Sequence, residues 1–348
     1  MTIPRPAALL SAFAVLLLAL AATPAARAVD AVPPLSITSD LMLGGPGTED
    51  VYILNAITSV AEDSRGNIYV VDGGQPALHR FGPDGTWQGT FAAAGDGPGD
   101  LMSMPVIAID GQDRIHVAGM GGRVQVLDAD FRHVAVSERA HATSPARALA
   151  ITPDGHVAIV AVDSRHHTTV DLHDAQGAYL RSFCDTFAAG RDLPRLVEDA
   201  YGGGRIAAGP EGRLLFAQAA PYLVRILAPD GTVLHQTDAG GAGFIPEPEE
   251  PEIRNGRMAM RFPGMASGIA PAGGGRVMVS AWRRRDDGST CTLLCLYDAQ
   301  LNLLARTEVE KYTAVAGADS QGRVYLHETA DDGTRVLRAT VGPGGNVR

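Results

Sequence analysis

Six times the chain repeats one phrase: an apolar strand, a short Asp/Gly turn, a second strand, a loop, and a third strand ending in another polar turn. The first copy reads Val60-Ala61-Glu62-Asp63-Ser64-Arg65-Gly66-Asn67-Ile68-Tyr69-Val70. The last reads Val315-Ala316-Gly317-Ala318-Asp319-Ser320-Gln321-Gly322-Arg323-Val324-Tyr325-Leu326. A strand hairpin of this kind cannot bury both of its faces alone, so the copies must stack around a common axis. The pattern predicts an all-β fold, a six-bladed β-propeller.

The first apolar residue after each Asp/Gly turn marks the copies: Ile68, Ile115, Val157, Leu214, Val277 and Val324. Their spacing averages about 51 residues, which suits one four-stranded blade each. The first turn of each copy is short and polar, as in Asp63 to Gly66, Pro153-Asp154-Gly155 and Asp319 to Gly322. Asp supplies side-chain caps there, and Gly the positive φ that tight hairpins require. Five copies carry a second such turn after the third strand, for example Pro83-Asp84-Gly85 and Pro229-Asp230-Gly231.

Past Val324 the chain has room for only one more strand, Thr334 to Val341, so the sixth blade lacks its outermost strand. Leu35 to Leu43 has the length and character to fill that place. The expectation is a ring latched by this N-terminal strand, which hides two otherwise open edges.

Residues 1–28 read as a leader and 29–348 as a single propeller domain. Arg5 supplies a positive start, Ala7 to Ala22 is nearly all apolar, and Ala26-Arg27-Ala28 offers a small-x-small cleavage site. The apolar run is short of the ~20 residues that span a bilayer comfortably, and Pro24 follows it. The chain therefore reads as exported, periplasmic or extracellular, with no membrane span after leader removal.

The formal net charge is −10, and Lys311 is the only lysine. An acidic protein repels phosphate backbones and anionic membrane surfaces, which argues against nucleic acid as a partner. Three cysteines remain: Cys184, Cys291 and Cys295. Cys291 and Cys295 share a strand face but stand roughly 13 Å apart at ~3.3 Å per residue, too far to bond. All three read as buried small hydrophobes.

Gly95-Asp96-Gly97-Pro98-Gly99-Asp100-Leu101, then Met104-Pro105 and Ile107-Ala108-Ile109-Asp110, resembles the linker and inner strand of NHL-repeat propellers. Val60 to Asp72 is similar to that repeat's strand pair, and Arg123-Val124-Gln125-Val126-Leu127 to its third strand. The resemblance runs from Leu35 to the C terminus and is weakest in copies three to five. It extends to secreted bacterial six-bladed propellers of unassigned activity. It implies a fold rather than a chemistry, because such folds host many functions.

On this architecture the ligand face carries the links between blades and the loops joining second and third strands. Asp72, Asp163 to Thr168, Gln218 to Tyr222, Trp282 to Ser289, Glu328 to Gly333 and the long insertion at 240–263 fall there. Trp282, Tyr222, Arg283 and Arg165 are the leading contacts, because aromatic and Arg side chains give the most contact energy per residue. His166, Gln218, Asp72, Glu328, Arg257 and Arg261 complete the candidate set. Arg283-Arg284-Arg285-Asp286-Asp287 has two readings: a solvated loop whose charges pair locally, or a grip for a carboxylate or sulfate beside Trp282. His166 and His167, adjacent on an extended chain, point apart and read as exposed loop residues without an accompanying carboxylate set. Gly95 to Asp100 reads as a blade-to-blade turn.

The resulting expectation is an exported scaffold that binds a protein or small-molecule ligand, without a cofactor. The alternative is a hydrolase or lyase with calcium or zinc in the central channel. Against it, the inner strands lack the three channel histidines of zinc-dependent propeller lyases and the Glu-Gly-Pro opening of gluconolactonase-type propellers. A Gly-x-Ser-x-Gly elbow is also absent.

Overall fold

The computed structural model describes residues 32–344 apart from 46–53, 96, 121, 140–143, 192–193, 238–244, 247, 250, 255–256 and 332. Residues 1–28, read from the sequence as a leader, lie outside the described residues. Six antiparallel four-stranded sheets form the blades of a propeller. From the axis outward, blade 1 comprises Ile57–Glu62, Ile68–Asp72, Ala77–Phe81 and Trp87–Ala93. Blade 2 comprises Val106–Ile109, Ile115–Ala118, Arg123–Leu127 and His133–Glu138. Blade 3 comprises Ala148–Ile151, Val157–Asp163, Thr168–His173 and Tyr179–Asp185. Blade 4 comprises Gly204–Ala208, Leu214–Gln218, Leu223–Leu227 and Val233–Gln236. Blade 5 comprises Gly264–Ala272, Arg276–Arg284, Thr290–Tyr297 and Leu303–Val309.

Blade 6 is built from both ends of the chain. Tyr312–Ala318, Val324–Ala330 and Gly333–Pro343 are followed outward by Leu35–Gly44, with Leu35 opposite Pro343 and Gly44 opposite Arg335. The latch expected from the strand count is present. Its ends bury Leu35 and Leu43, and Asp40 between them holds Arg338 at 3.0 Å and Arg323 at 2.6 Å.

The burial pattern explains the radial order. The second strands of blades 1 to 4 are buried throughout, as in Ile68–Asp72, Val157–Asp163 and Leu214–Gln218, whereas the outer strands His133–Glu138 and Val233–Gln236 are largely exposed. A strand covered on both faces reads as a continuous apolar run, and an outer strand does not. Each of the six blade interfaces holds its own apolar cluster. Between blades 4 and 5, Val224 and Ile226 pack with Val279, Leu293 and Tyr297. Burying each such side chain contributes about 1.5–3 kcal/mol, which no isolated blade could collect.

The expected caps occupy the tight turns. The Asp63 carboxylate accepts backbone N–H groups of Arg65 at 3.0 Å and Asn67 at 2.9 Å, and the Tyr69 hydroxyl at 3.1 Å. Burial alone would raise its pKa, but these hydrogen bonds outweigh burial and hold it below the ordinary carboxylate value. Asp319 repeats the two backbone bonds with Gln321 and Arg323.

The reading as strands throughout misses one element. Arg195–Tyr201, in the link from blade 3 to blade 4, is a short α-helix. Its Val197 and Tyr201 pack on Phe187 and Ala220, with Met260 and Phe262 of the insertion against them. The insertion also forms a small hairpin, Glu252–Arg254 with Arg257–Ala259. Among the described residues no helix is long and apolar enough to cross a membrane.

Candidate ligand site at the mouth of the central channel

The six inner strands enclose a cavity of about 340 Å³ on the propeller axis. Small residues let the strands converge there: Ala108, Ala148, Ala150, Ala207, Ala208, Ala314, Ala316 and Ala318 all line it. Ile57, Ile107, Ile151, Ile269 and Val315 add aliphatic wall.

Polar side chains gather mainly at one end, and Glu62, the last residue of the blade 1 inner strand, lines the other. Every inner strand begins at the face carrying the blade-to-blade links, so residues at strand starts gather around one mouth. Thr58, Arg147, Arg205, Ser267 and Tyr312 stand at or near such starts and line the cavity. His327 joins them from the second strand of blade 6.

Arg147 is fixed by its surroundings. Its backbone N–H donates to Val160 at 2.8 Å, and its Nη2 donates to the Asp199 carbonyl at 2.8 Å. The helix missed in the sequence therefore positions it. Its Nε is buried and makes no hydrogen bond. Arg205 spends Nη1 on the Gly204 carbonyl at 2.9 Å. Among the described residues no ion-pair partner within 4.0 Å is found for either guanidinium. Protein surrounds Arg205 while solvent reaches it through the channel. Burial lowers its pKa, Tyr312 opposes that shift, and the like charge of Arg147 adds to it.

Tyr312 is 41% exposed, and its ring meets His327 edge-on at 5.5 Å. Burial raises its pKa, with Arg205 opposing. His327 is only 6% exposed, with Nε2 at 3.2 Å from the Thr329 hydroxyl. Burial pushes its pKa down to about 4 despite Asp72 and Glu328 nearby. Two guanidinium groups thus line one mouth of a protein whose net charge is −10.

The residues expected from the sequence lie on this same face, but several are engaged internally. Asp72 is buried and accepts N–H groups from Asn55 at 2.7 Å, Ala56 at 3.1 Å and Gly74 at 2.8 Å, clamping the link into blade 1. Gln218 is buried and donates to the Ala220 carbonyl at 3.3 Å. Glu328 is buried between Lys311 at 2.7 Å and Arg335 at 3.0 Å. Tyr222, read as a surface contact, is instead core: it is 5% exposed between blades 4 and 5, with its hydroxyl 3.2 Å from that of Tyr297. Apolar packing on both sides leaves it no surface to offer a ligand.

The others remain outward. Arg165 and His166 both bind the buried Asp163, at 3.3 and 2.6 Å, with most of each side chain exposed. His167 pairs with a different carboxylate, Glu198, at 2.9 Å. Both histidines thus have a carboxylate beside them, against the reading from sequence: Asp163 is three residues away, whereas Glu198 comes from a distant helix. Among the described residues no three His, Cys, Asp or Glu side chains gather at metal-ligating distance. Trp282 is half-buried, and Arg283 faces Glu308 at 3.5 Å. Arg285 pairs with Glu308 and with Glu310 at 2.7 Å, on the neighbouring strand end rather than with Asp286 or Asp287. Arg261 lies 3.6 Å from Glu249. The Arg257 side chain lies outside the described residues.

Arg147, Arg205, Tyr312 and His327 were not singled out from sequence. The usable signal was positional: Arg147 and Arg205 stand at or near the starts of two successive inner strands, where no other copy carries a charged residue.

No protein-family model matches this chain, and no curated protein matches it. Solved structures do. A member of the DUF4221 family from Bacteroides vulgatus superposes with a TM-score of 0.56 at 9% identity, over 90% of this chain and 100% of that one. A Bacteroides fragilis protein inferred to be exported gives 0.57 at 10% identity, over 91% and 97%. A protein of unknown function from Bacteroides caccae gives 0.50 at 15% identity, over 82% and 97%. At these identities the likeness shows the shared fold alone.

Proposed function

We propose that this protein is an exported, non-catalytic binding propeller that holds a small molecule at the loop-bearing face, over the mouth of its central channel. The observation that carries this reading is the enclosed cavity itself. It combines aliphatic side chains with a few placed polar groups, most of them at one mouth and Glu62 at the other end, the usual composition of a small-molecule site. Around that mouth Trp282, Arg283, Arg165, His166 and Arg261 are the outward side chains that would form its rim. The leader-like start of the chain and the fold shared with the Bacteroides fragilis protein support export. The Val60 to Asp72 strand pair supports grouping with NHL-like propellers.

Soaking crystals of the mature protein with a fragment library tests the site. Fragments should concentrate at the channel mouth. A concentration on the opposite face, with its tight turns, or on the outer strands refutes the reading. N-terminal sequencing of secreted protein tests export, with Val29 as the expected first residue.

A further inference from the structure

Most arginines lining this molecule's turns and edges have an acid beside them. Arg338 and Arg323 share Asp40, Arg114 binds Asp110, Arg335 binds Glu328, and Arg285 binds Glu308 and Glu310. The chain has carboxylates in surplus. Even so, the two arginines that converge at the channel mouth have no ion-pair partner among the described residues. Asp199, the acid nearest to Arg147 in effect, is engaged by Arg195 at 3.6 Å. Two like charges side by side repel each other and lose hydration on burial, so an anion bound between them is favoured.

The chemistry narrows further. A guanidinium carries five N–H donors in a planar fork that matches a carboxylate in two parallel bonds, and Arg205 spends one donor within the protein. Tyr312 adds a hydroxyl and an exposed ring face at the same mouth. Below them Ile107, Ile151, Ile269 and Val315 line the wall and favour apolar groups, with Glu62 at the far end. A cavity of about 340 Å³ admits one small molecule.

We infer that the channel mouth is a site for a small organic acid, whose carboxylate is held by Arg205 and Arg147 beside Tyr312 and whose apolar body lies against the aliphatic wall. This rests on the binding-propeller reading above and names its ligand class.

The test compares matched probes on the wild-type mature protein by calorimetry and crystal soaking: benzoate against benzamide, hexanoate against hexanamide, and inorganic phosphate and sulfate. Both acids should seat in the channel and bind at least tenfold tighter than their amides. Arg205→Gln should abolish that preference, and Arg205→Lys should keep part of it, with thermal melting confirming that each variant is folded. The wild-type acid-to-amide ratio decides the matter even if a variant fails to fold. Acids and amides seating equally well would leave the channel site standing and overturn the anion assignment. Phosphate or sulfate binding as tightly as the acids would overturn the role of the apolar body. No probe entering the channel would overturn the binding-propeller reading as well.

Discussion

Gly317→Ala probes ring closure at one atom. Gly317 lies on the inner strand of blade 6, just after a bulge, and faces the inner strand of blade 1. A methyl group there would stand 2.2 Å from the Val60 carbonyl oxygen and 3.2 Å from its carbon. Carbon and oxygen normally approach no closer than about 3.3 Å, so something must yield by about 1 Å. The obstructing atom is backbone, in a strand already paired with Val70, and cannot rotate away. Overpacking costs about 1–3 kcal/mol, and a backbone clash inside a closed ring belongs at the upper end. At about 2 °C per kcal/mol for a chain this long, the melting temperature should fall by about 6 °C. Differential scanning calorimetry would measure it against Gly111→Ala, whose added methyl meets open space. That control should match or slightly exceed wild type, because Ala restricts the unfolded chain more than Gly does. A Gly317→Ala protein that melts with the control would refute the claim that the ring closes by backbone contact at this point.

Other consequences follow from the same packing. Deleting residues 29–45 removes the outer strand of blade 6 and uncovers the edge of Gly333–Pro343, so the truncated protein should self-associate; a monodisperse monomer with unchanged melting would rule out the latch. His327 is held neutral, with a folded pKa of about 4 against about 6.5 unfolded. The unfolded state binds the extra proton between those values, so stability is full above about pH 6.5 and falls as pH drops toward 4. By pH 5 wild type should lose about 2 kcal/mol more than His327→Gln in urea titrations, and parallel losses would refute the assignment. The cysteines are free thiols; Cys291 and Cys295 are buried, and burial pushes the Cys184 and Cys295 pKa values up to about 11 and about 12. A thiol reagent at pH 8 should react negligibly with native protein and with three groups after denaturation; fewer than three would indicate a bridge. Tyr222→Ala should destabilise by about 3–5 kcal/mol by emptying the core between blades 4 and 5; unchanged stability would return Tyr222 to the surface.

What was readable along the chain was what neighbouring residues decide. Asp63 and Asp319 cap groups two and four residues away, so their turns are visible in a short window. Strand burial is written in the runs Ile68–Asp72 and Val157–Asp163. The latch followed from an unfilled edge and a spare strand. The helix Arg195–Tyr201 escaped because seven residues carry little periodicity, and its packing rests on Phe187, Ala220, Met260 and Phe262.

The face of the candidate site was readable in the same way, since loop positions follow from strand order. The side chains on it were not. Asp72 and Gln218 end second strands and Glu328 lies two residues from the end of one, but each is spent on the protein itself. Trp282 and Tyr222 stand out in a sequence poor in aromatics, yet one is half-buried and the other is core.

The chain alone determined six strand units, their turns, the latch and the face that receives the loops, because hydrophobic period and turn chemistry act over a few residues. Only the closed ring decided that Arg147, Arg205 and Tyr312, scattered over three blades, meet at one mouth. Their convergence depends on how six separate sheets pack around an axis, and no local stretch of sequence records that distance.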